Sequence, residues 1–595
     1  MNFREKHKKE RILFWTGSLL LVCFFGLLGA AEASAALPEK TVFQVDPSFD
    51  ISGRTEVSAT LLLVGERSVF YVADDWWRGA NTGSGQAIEA LRAEFDRKIY
   101  PTLTRIYGSE WSPGIDDDPR VFVLITKLKT GAGGYFNSAD EYPKSQSPSS
   151  NEREMLYLNG TYINSPQMKS YFAHEFQHMI NFYQKNKLRG VNEDVWLNEA
   201  LSEYAPTLCG YDDVYAGSNL EKRVVEFLRN PSDPMTEWVN EAEDYSSVNL
   251  FMQYFVGRYG QMILTKIVQG NLTGIAGIDQ ALADLGFQER FADIFTNWTI
   301  ANLINNCQVG EGQRYCYLQP NLSYARLHVS PSVSHSLESV EGTIYDFSGS
   351  IKGWTGYWYE VLPQSAGLNL LINFSGSQNS SFRVILAITD FQGKTEVRFL
   401  NLNSKQEGTE LVNDFGSKIK SVILIPVDSS KISGFSGNDP FYSFSYSIKT
   451  TSARTIPSPD ATLTPVTPTE PSGPAVNPNL PDGSLIRAAG DYKVYIVKGK
   501  YKRWIQTAKI FSLYPHLDWQ SVIEVTSQQR DYYQDAWLVR ADGDYKVYEV
   551  NGDLTKHWLN ITADQFAQSG RLWDMVYVVN KNERDLYIAG AEVRK

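Results

Sequence analysis

Two segments constrain this chain more than any other: A-H-E-F-Q-H-M-I-N from Ala173 to Asn181, and W-L-N-E-A-L-S-E-Y-A from Trp196, twenty-odd residues downstream. On a helix, residues four apart share a face, so His174 and His178 aim both imidazoles at one point, with Glu175 beside them. The second segment is apolar-patterned and follows a turn at Gly190. Its Glu199 and Glu203 repeat the four-residue spacing on one helical face. Two helices, each presenting a polar pair, therefore have to meet over one point in space.

Those residue types suit a zinc ion. Catalytic zinc takes three protein ligands and leaves one position open to water. His174 and His178 supply two, and Glu199 is the natural third. Glu203, one turn on, is placed to hold a ligand histidine from behind. Glu175 remains free as the base for the attacking water. With 7 histidines in 595 residues, H-E-x-x-H should arise by chance in well under about one chain in a hundred of this composition.

The pair H-E-F-Q-H and W-L-N-E-A-L-S-E resembles the gluzincin metallopeptidases of the thermolysin-like clan, and among them is most similar to the hyicolysin-like neutral zinc peptidases. The resemblance runs roughly from Val42 to Tyr324, about half of the 595 residues. It implies zinc on His174, His178 and Glu199, Glu175 as general base, and Glu203 as the carboxylate that orients a ligand histidine. Two departures stand out. The G-x-M-E-N element with which gluzincin aminopeptidases grip a free amino terminus is absent, and Glu203 stands where thermolysin-like enzymes have Asp. Gluzincins often use a Tyr or His proton to stabilise the tetrahedral oxyanion, and Tyr245 in E-D-Y-S-S-V-N resembles that position. Among 33 tyrosines, a plain packing role for it stays open.

Length and composition, 595 residues with 43% hydrophobic and 13% aromatic content, provide for three or four domains. The first 35 residues combine a basic start, an apolar run from Ile12 to Ala31 and A-S-A at Ala33 to Ala35. That pattern predicts a signal peptide cleaved before Ala36 and a secreted protein, with an uncleaved membrane anchor as the alternative. Loss of the leader removes five Lys/Arg and three Asp/Glu and moves the formal net charge from −12 to −14. Such an acidic chain argues against nucleic acid as a partner. Cys307 and Cys316 enclose a short polar loop and are expected to form a local disulfide in an oxidising compartment, whereas Cys209 reads as a buried thiol.

The expected fold class is multidomain. An α+β zincin-type peptidase domain spans 36–329, with its active-site helix near 166–185 and a helical lobe near 196–305. A β-sandwich follows at 330–450, then a Pro/Thr-rich linker at 451–481. In the first domain, strands are expected near Val57 to Val64, Val69 to Val72 and Val121 to Thr126, and a long helix near Ala87 to Tyr107. Gly133, Gly134, Tyr135 and Phe136 read as an edge strand for substrate to join by strand addition, or as an ordinary Gly-rich hairpin. The run Asp116 to Asp118 offers oxygens for calcium, but no spaced oxygen pattern follows it and a solvated turn is the expectation. Helical segments are expected at Asn219 to Leu228, Ser246 to Tyr259 and Ile275 to Ile304.

After the linker, L-I-R-A-A-G-D-Y-K-V-Y-I-V at Leu485 returns as L-V-R-A-D-G-D-Y-K-V-Y-E-V at Leu538, two tandem repeats (485–537 and 538–595) with a 53-residue period. They resemble short repeats of bacterial surface and secreted proteins. Attachment to a cell-envelope or extracellular ligand and a spacer role are both open. The sequence as a whole reads as an exported zinc endopeptidase acting on proteins or peptides. The alternatives are a surface-binding or adhesion protein on a degenerate zincin scaffold, against which the intact Glu175 argues, and a zinc aminopeptidase.

Overall fold

The computed structural model describes residues 37–454 and 480–594, apart from 339, 365–366 and 453 and short stretches of the later segment (489–492, 515–516, 518, 527–528, 531, 552–553, 563–564, 567–568, 570 and 572). The expected signal peptide and most of the Pro/Thr-rich linker lie outside the described residues. The chain mixes helices with several β-sheets and divides into two compact units, one up to Arg454 and one from Thr455.

In the first unit, β1 (Lys40–Gln44), β2 (Glu56–Val64), β3 (Ser68–Ala73), β4 (Val121–Thr126), β5 (Gly134–Phe136) and β6 (Met155–Asn159) form one sheet, ordered β1-β2-β3-β4-β6-β5. The runs S-V-F-Y-V-A, V-F-V-L-I-T and M-L-Y-L-N are buried at every position and pair in parallel as β3, β4 and β6. Continuous apolar strands of this kind are stable only when both faces of the sheet are covered. β5 runs antiparallel to β6, Gly134 opposite Leu158 and Phe136 opposite Leu156, and is the outermost strand on its side.

Between β3 and β4 the chain crosses over through helix Ser84–Glu94, a π-helical turn Phe95–Ile99 and helix Tyr100–Tyr107. Pro101 has no N–H to return to the preceding turn, so the helix widens there instead of breaking. The widened turn carries Phe95, whose ring stacks on Phe172 at 4.4 Å and meets Phe176 edge-on at 4.9 Å. These rings seat the helix Met168–Asn181 on the sheet. A second π turn, Phe182–Lys187, extends that helix. Gly190, at φ +67°, then reverses the chain into helix Val195–Leu208.

The remaining helices are Asn219–Arg229, Ala242–Tyr259, Met262–Val268, Gly274–Asp284 and Phe291–Ile304. The single run expected from Ile275 to Ile304 is thus two helices. Gly286, at φ +84°, turns the chain, and the Arg290 N–H donates to Asp293 Oδ2 at 2.9 Å where the second helix starts. Cys209 is a buried free thiol at the end of helix Val195–Leu208, and Cys307 and Cys316 form a disulfide across Cα atoms 5.0 Å apart.

Nine strands follow: β7 (Val333–Leu337), β8 (Ile344–Lys352), β9 (Tyr359–Pro363), β10 (Leu368–Gly376), β11 (Phe382–Asp390), β12 (Thr395–Phe399), β13 (Glu407–Phe415), β14 (Ile419–Asp428) and β15 (Phe441–Thr451). They form two layers, β12-β11-β14-β9-β7 and β13-β10-β15-β8, joined by the one pairing Phe415 to Ile419. Leu370, Ile372 and Phe374 of one layer share a core with Val384, Leu386, Val422 and Leu424 of the other. The opposite face of β11 and β14, with Ile385, Ala387, Ile423 and Ile425, joins Trp354 and Trp358 in the core of the helical lobe. Period-two alternation with both faces apolar explains how one strand serves two cores.

Among its described residues the second unit holds two five-stranded sheets. β16 (Leu485–Ala488), β17 (Tyr495–Lys498), β18 (Tyr501–Trp504), β19 (Val522–Val525) and β20 (Gln534–Asp535) pair in the order β19-β16-β17-β18-β20. β21 (Leu538–Ala541), β22 (Val547–Val550), β23 (Thr555–Trp558), β24 (Val576–Val579) and β25 (Ile588–Ala589) pair as β24-β21-β22-β23-β25, the same topology. Among the described residues no helix is long and apolar enough to cross a membrane.

Candidate metal centre

His174 and His178 project from helix Met168–Asn181 toward Glu199 on helix Val195–Leu208. The Nε2 atoms of the two histidines are 3.1 Å apart, and Glu199 Oε2 lies 3.3 Å from that of His174 and 3.5 Å from that of His178. Glu199 Oε2 is sealed from solvent and faces only these two imidazoles. Tetrahedral zinc with bonds of about 2.0–2.1 Å sets its ligand atoms about 3.3 Å apart, so these three side chains fit the ion. Among the described residues this is the group of His, Cys, Asp and Glu whose ligand atoms gather within 4.8 Å.

The outer nitrogens decide which nitrogen faces inward. His174 Nδ1 lies 3.3 Å from Glu203 Oε1. His178 Nδ1 is 3.2 Å from Asn198 Oδ1 and 3.0 Å from Ser202 Oγ. A proton donated outward from each Nδ1 leaves each Nε2 with a lone pair directed at the common point. Asn198, Glu199, Ser202 and Glu203 therefore occupy one face of a single helix. All four belong to W-L-N-E-A-L-S-E, and the spacings of Asn198 and Ser202 were the signal that would have revealed them.

Glu203 is itself held. Arg223, on helix Asn219–Arg229, donates from Nε to Oε2 at 2.8 Å and from Nη2 to Oε1 at 2.7 Å. Asn219 adds a bond to Oε2 at 2.9 Å. Burial raises the Glu203 carboxyl, but Arg223 and His174 outweigh it and hold the group ionised. Burial likewise disfavours charge on His174, yet Glu199 and Glu203 override it and carry the imidazole to about 10. Sequence reasoning had no access to Arg223, which lies outside both motifs.

Glu175 is buried on the same side of the helix, where desolvation raises its carboxyl and the two imidazoles lower it. The backbone of Phe136 on the edge strand lowers it as well. Glycine at 134 is needed for this approach, since a Cβ there would stand 2.9 Å from Glu175 Cγ and 2.7 Å from the Tyr157 carbonyl. Gly134, Tyr135 and Phe136 of the edge strand line a cavity of about 370 Å³ together with His174, Glu175, His178, Glu199 and Tyr245. Gly133 lies just before the strand, its carbonyl accepting from the Asn159 N–H at 2.9 Å. The Tyr245 hydroxyl donates to Asn240 Oδ1 at 2.8 Å. Its ring lies under the Arg223 guanidinium, and burial followed by the charges of Glu199, Glu203 and Glu175 keeps the phenol protonated.

The acidic run before β4 lies in a turn with Asp117 exposed, while its two neighbours are paired. Asp118 pairs with Arg120, and Asp116 accepts from Arg153 at 2.8 Å, so these carboxylates are occupied by guanidinium groups rather than left facing solvent.

No family model matches this chain. It is 26% identical over 234 residues to the neutral metalloprotease ShpI of Staphylococcus hyicus, an alignment covering 35% of this chain and 50% of that protein. The chain thus spans about half the length of that relative, and the likeness supports a metalloprotease. Among solved structures, the pre-peptidase C-terminal domain of a Bacillus anthracis collagenase matches at 16% identity and a TM-score of 0.15, covering 20% of this chain and 98% of that one. The lysozyme inhibitor PliG of Aeromonas hydrophila matches at 9% identity and a TM-score of 0.14, covering 20% of this chain and 99% of that one.

Proposed function

We propose that this chain is an exported zinc-dependent endopeptidase of the gluzincin type, with His174, His178 and Glu199 as the metal ligands. The observation that carries the reading is the convergence of two imidazole Nε2 atoms and a carboxylate oxygen sealed from solvent at mutual distances of 3.1–3.5 Å, with a buried Glu175 alongside. Zinc bound there supplies a Lewis acid that acidifies water and polarises a carbonyl. Glu175 accepts the proton of the attacking water and returns it to the leaving amine, a task suited to a carboxyl raised by burial and beside no hydrogen-bonded cation. Glu203 keeps His174 in the required tautomer, and Asn198 does the same for His178. Tyr245, protonated and in the cavity wall, is the proposed donor to the oxyanion. An extended substrate is held by pairing with the open edge of Gly134–Phe136, which places its backbone across Glu175.

The resemblance to hyicolysin-like neutral peptidases and the likeness to a neutral metalloprotease both support this reading. We further propose that the two similar sheets of the second unit are tandem copies serving attachment or spacing. Casein incubated with purified protein, with and without a chelator, and followed by mapping of the cut bonds, tests the enzymatic reading. Internal cuts abolished by chelation are expected. Trimming from one end would instead indicate an exopeptidase, and no cleavage by zinc-loaded protein would indicate a binding scaffold.

A further inference from the structure

The segment 230–241 joins the helix that carries Arg223 to the helix that carries Tyr245, and it has no regular secondary structure. Pro231 and Pro234 have no N–H to donate within it. Asn240, at φ +67°, sits near its end in the left-handed region, which asparagine tolerates better than most residues. Such a strap has to find its hydrogen-bond partners outside itself. The β-sandwich supplies them. The Met235 N–H donates to the Trp354 carbonyl at 3.0 Å. Lys352, the last residue of β8, places its ammonium 2.5 Å from both carboxylate oxygens of Glu237, whose side chain is 6% exposed. Gly437, between β14 and β15, backs onto the next two residues: a Cβ there would stand 3.0 Å from Val239 Cγ1 and 3.3 Å from the Trp238 carbonyl. The sandwich side of these contacts is fixed in turn, since Trp354 is buried, donates from Nε1 to the Lys431 carbonyl at 2.5 Å and packs its ring 4.7 Å from that of Phe291.

The same stretch of strap meets Tyr245. The Trp238 ring stands edge-on to the Tyr245 ring with 4.9 Å between centres, and Asn240 Oδ1 accepts from the Tyr245 hydroxyl at 2.8 Å. Glu237, Trp238, Val239 and Asn240 are consecutive, so a backbone shift imposed by the sandwich on the first three is passed to the residues that touch Tyr245. We propose that the β-sandwich is a positioning element for catalysis, setting through this strap where the Tyr245 hydroxyl stands in the cavity wall. The proposal rests on Tyr245 being the donor to the oxyanion. Such a donor works at about 2.7–3.1 Å from the developing charge, and misplacement by about 1 Å costs on the order of 10²-fold. The metal ligands lie on two other helices, Met168–Asn181 and Val195–Leu208, so a displaced strap acts on turnover rather than on zinc affinity.

The test is a double-mutant cycle in the full chain, read as kcat and KM on a short peptide with zinc content measured for each protein. Gly437→Val drives a branched side chain against Val239 and the Trp238 carbonyl; it should lower kcat by about 10–100-fold with KM within about twofold of wild type and zinc content unchanged. Tyr245→Phe should lower kcat by about 10²–10³-fold. Added to Tyr245→Phe, Gly437→Val should change kcat by no more than about threefold, because the hydroxyl it displaces is already gone. A general loosening of the fold would lower kcat equally in both backgrounds. Lys352→Met, which keeps the stem and removes the ammonium from Glu237, takes the place of Gly437→Val in the same cycle if that variant does not fold. Zinc-loaded wild type that cleaves nothing would overturn the enzymatic reading itself, and full activity in Tyr245→Phe would remove the donor and this proposal with it. With wild type active and Tyr245→Phe impaired, a sandwich variant as fast as wild type, or equal losses in the two backgrounds, would overturn the positioning role alone.

Discussion

Glu203→Ala separates the two tasks that converge on this residue. Its oxygens receive Arg223 at 2.8 and 2.7 Å and Asn219 at 2.9 Å, and one of them lies 3.3 Å from His174 Nδ1. Removing one partner of a buried ion pair costs about 3–5 kcal/mol. The lower end applies here because Arg223 keeps Glu226, at 2.8 Å from Nη1. Loss of a carboxylate behind a ligand histidine typically weakens metal binding by about 10–100-fold, equivalent to about 1.4–2.7 kcal/mol. The fold should therefore lose more than the metal site. Urea unfolding of the chelated protein reads the first quantity, and competition against a chromophoric zinc chelator reads the second. Glu203→Gln, which retains one acceptor oxygen, should recover part of both. Chelated stability within about 1 kcal/mol of wild type, with zinc affinity within about threefold, would refute the role assigned to the Arg223–Glu203–His174 chain.

Three further outcomes are expected. Glu175→Gln should keep its zinc and its thermal stability while turnover falls by about 10²–10⁴-fold, because only the proton acceptor is removed; zinc loss measured by metal analysis would count against the base assignment. His174, carried to about 10 by its carboxylate neighbours, holds a proton at neutral pH that coordination must expel. Apparent zinc affinity should thus rise with pH and level off near 10, and calorimetry at pH 7 in two buffers of different ionisation enthalpy should give different heats; equal heats would contradict it. Ending the chain at Arg454, the limit of the first compact unit, should leave cleavage of a short peptide close to that of the full chain, and a large fall in kcat would show that the second unit contributes to the site.

Much of the site was legible because its information is local. H-E-F-Q-H and N-E-A-L-S-E each place their polar groups on one helical face by spacing alone, and G-G-Y-F announced a strand where backbone passes close to a neighbour. The long helix expected near Ala87 to Tyr107, the helix that carries His174 and His178 and the apolar strands β3 and β4 were legible for the same reason, since hydrophobic period and length specify them. The break at Gly286 was obscured by the apolar residues on both sides of it.

What tertiary structure alone decided is who meets whom across the chain. Arg223 reaches Glu203 from a separate helix, and Gly134 brings its backbone against Glu175 from a sheet edge. The outer face of β11 and β14 leaves the sandwich to join the core of the helical lobe. Periodicity reports only which face of an element is apolar. The partner of that face, and the residue that neutralises a charge buried behind it, follow from long-range packing that no local spacing records.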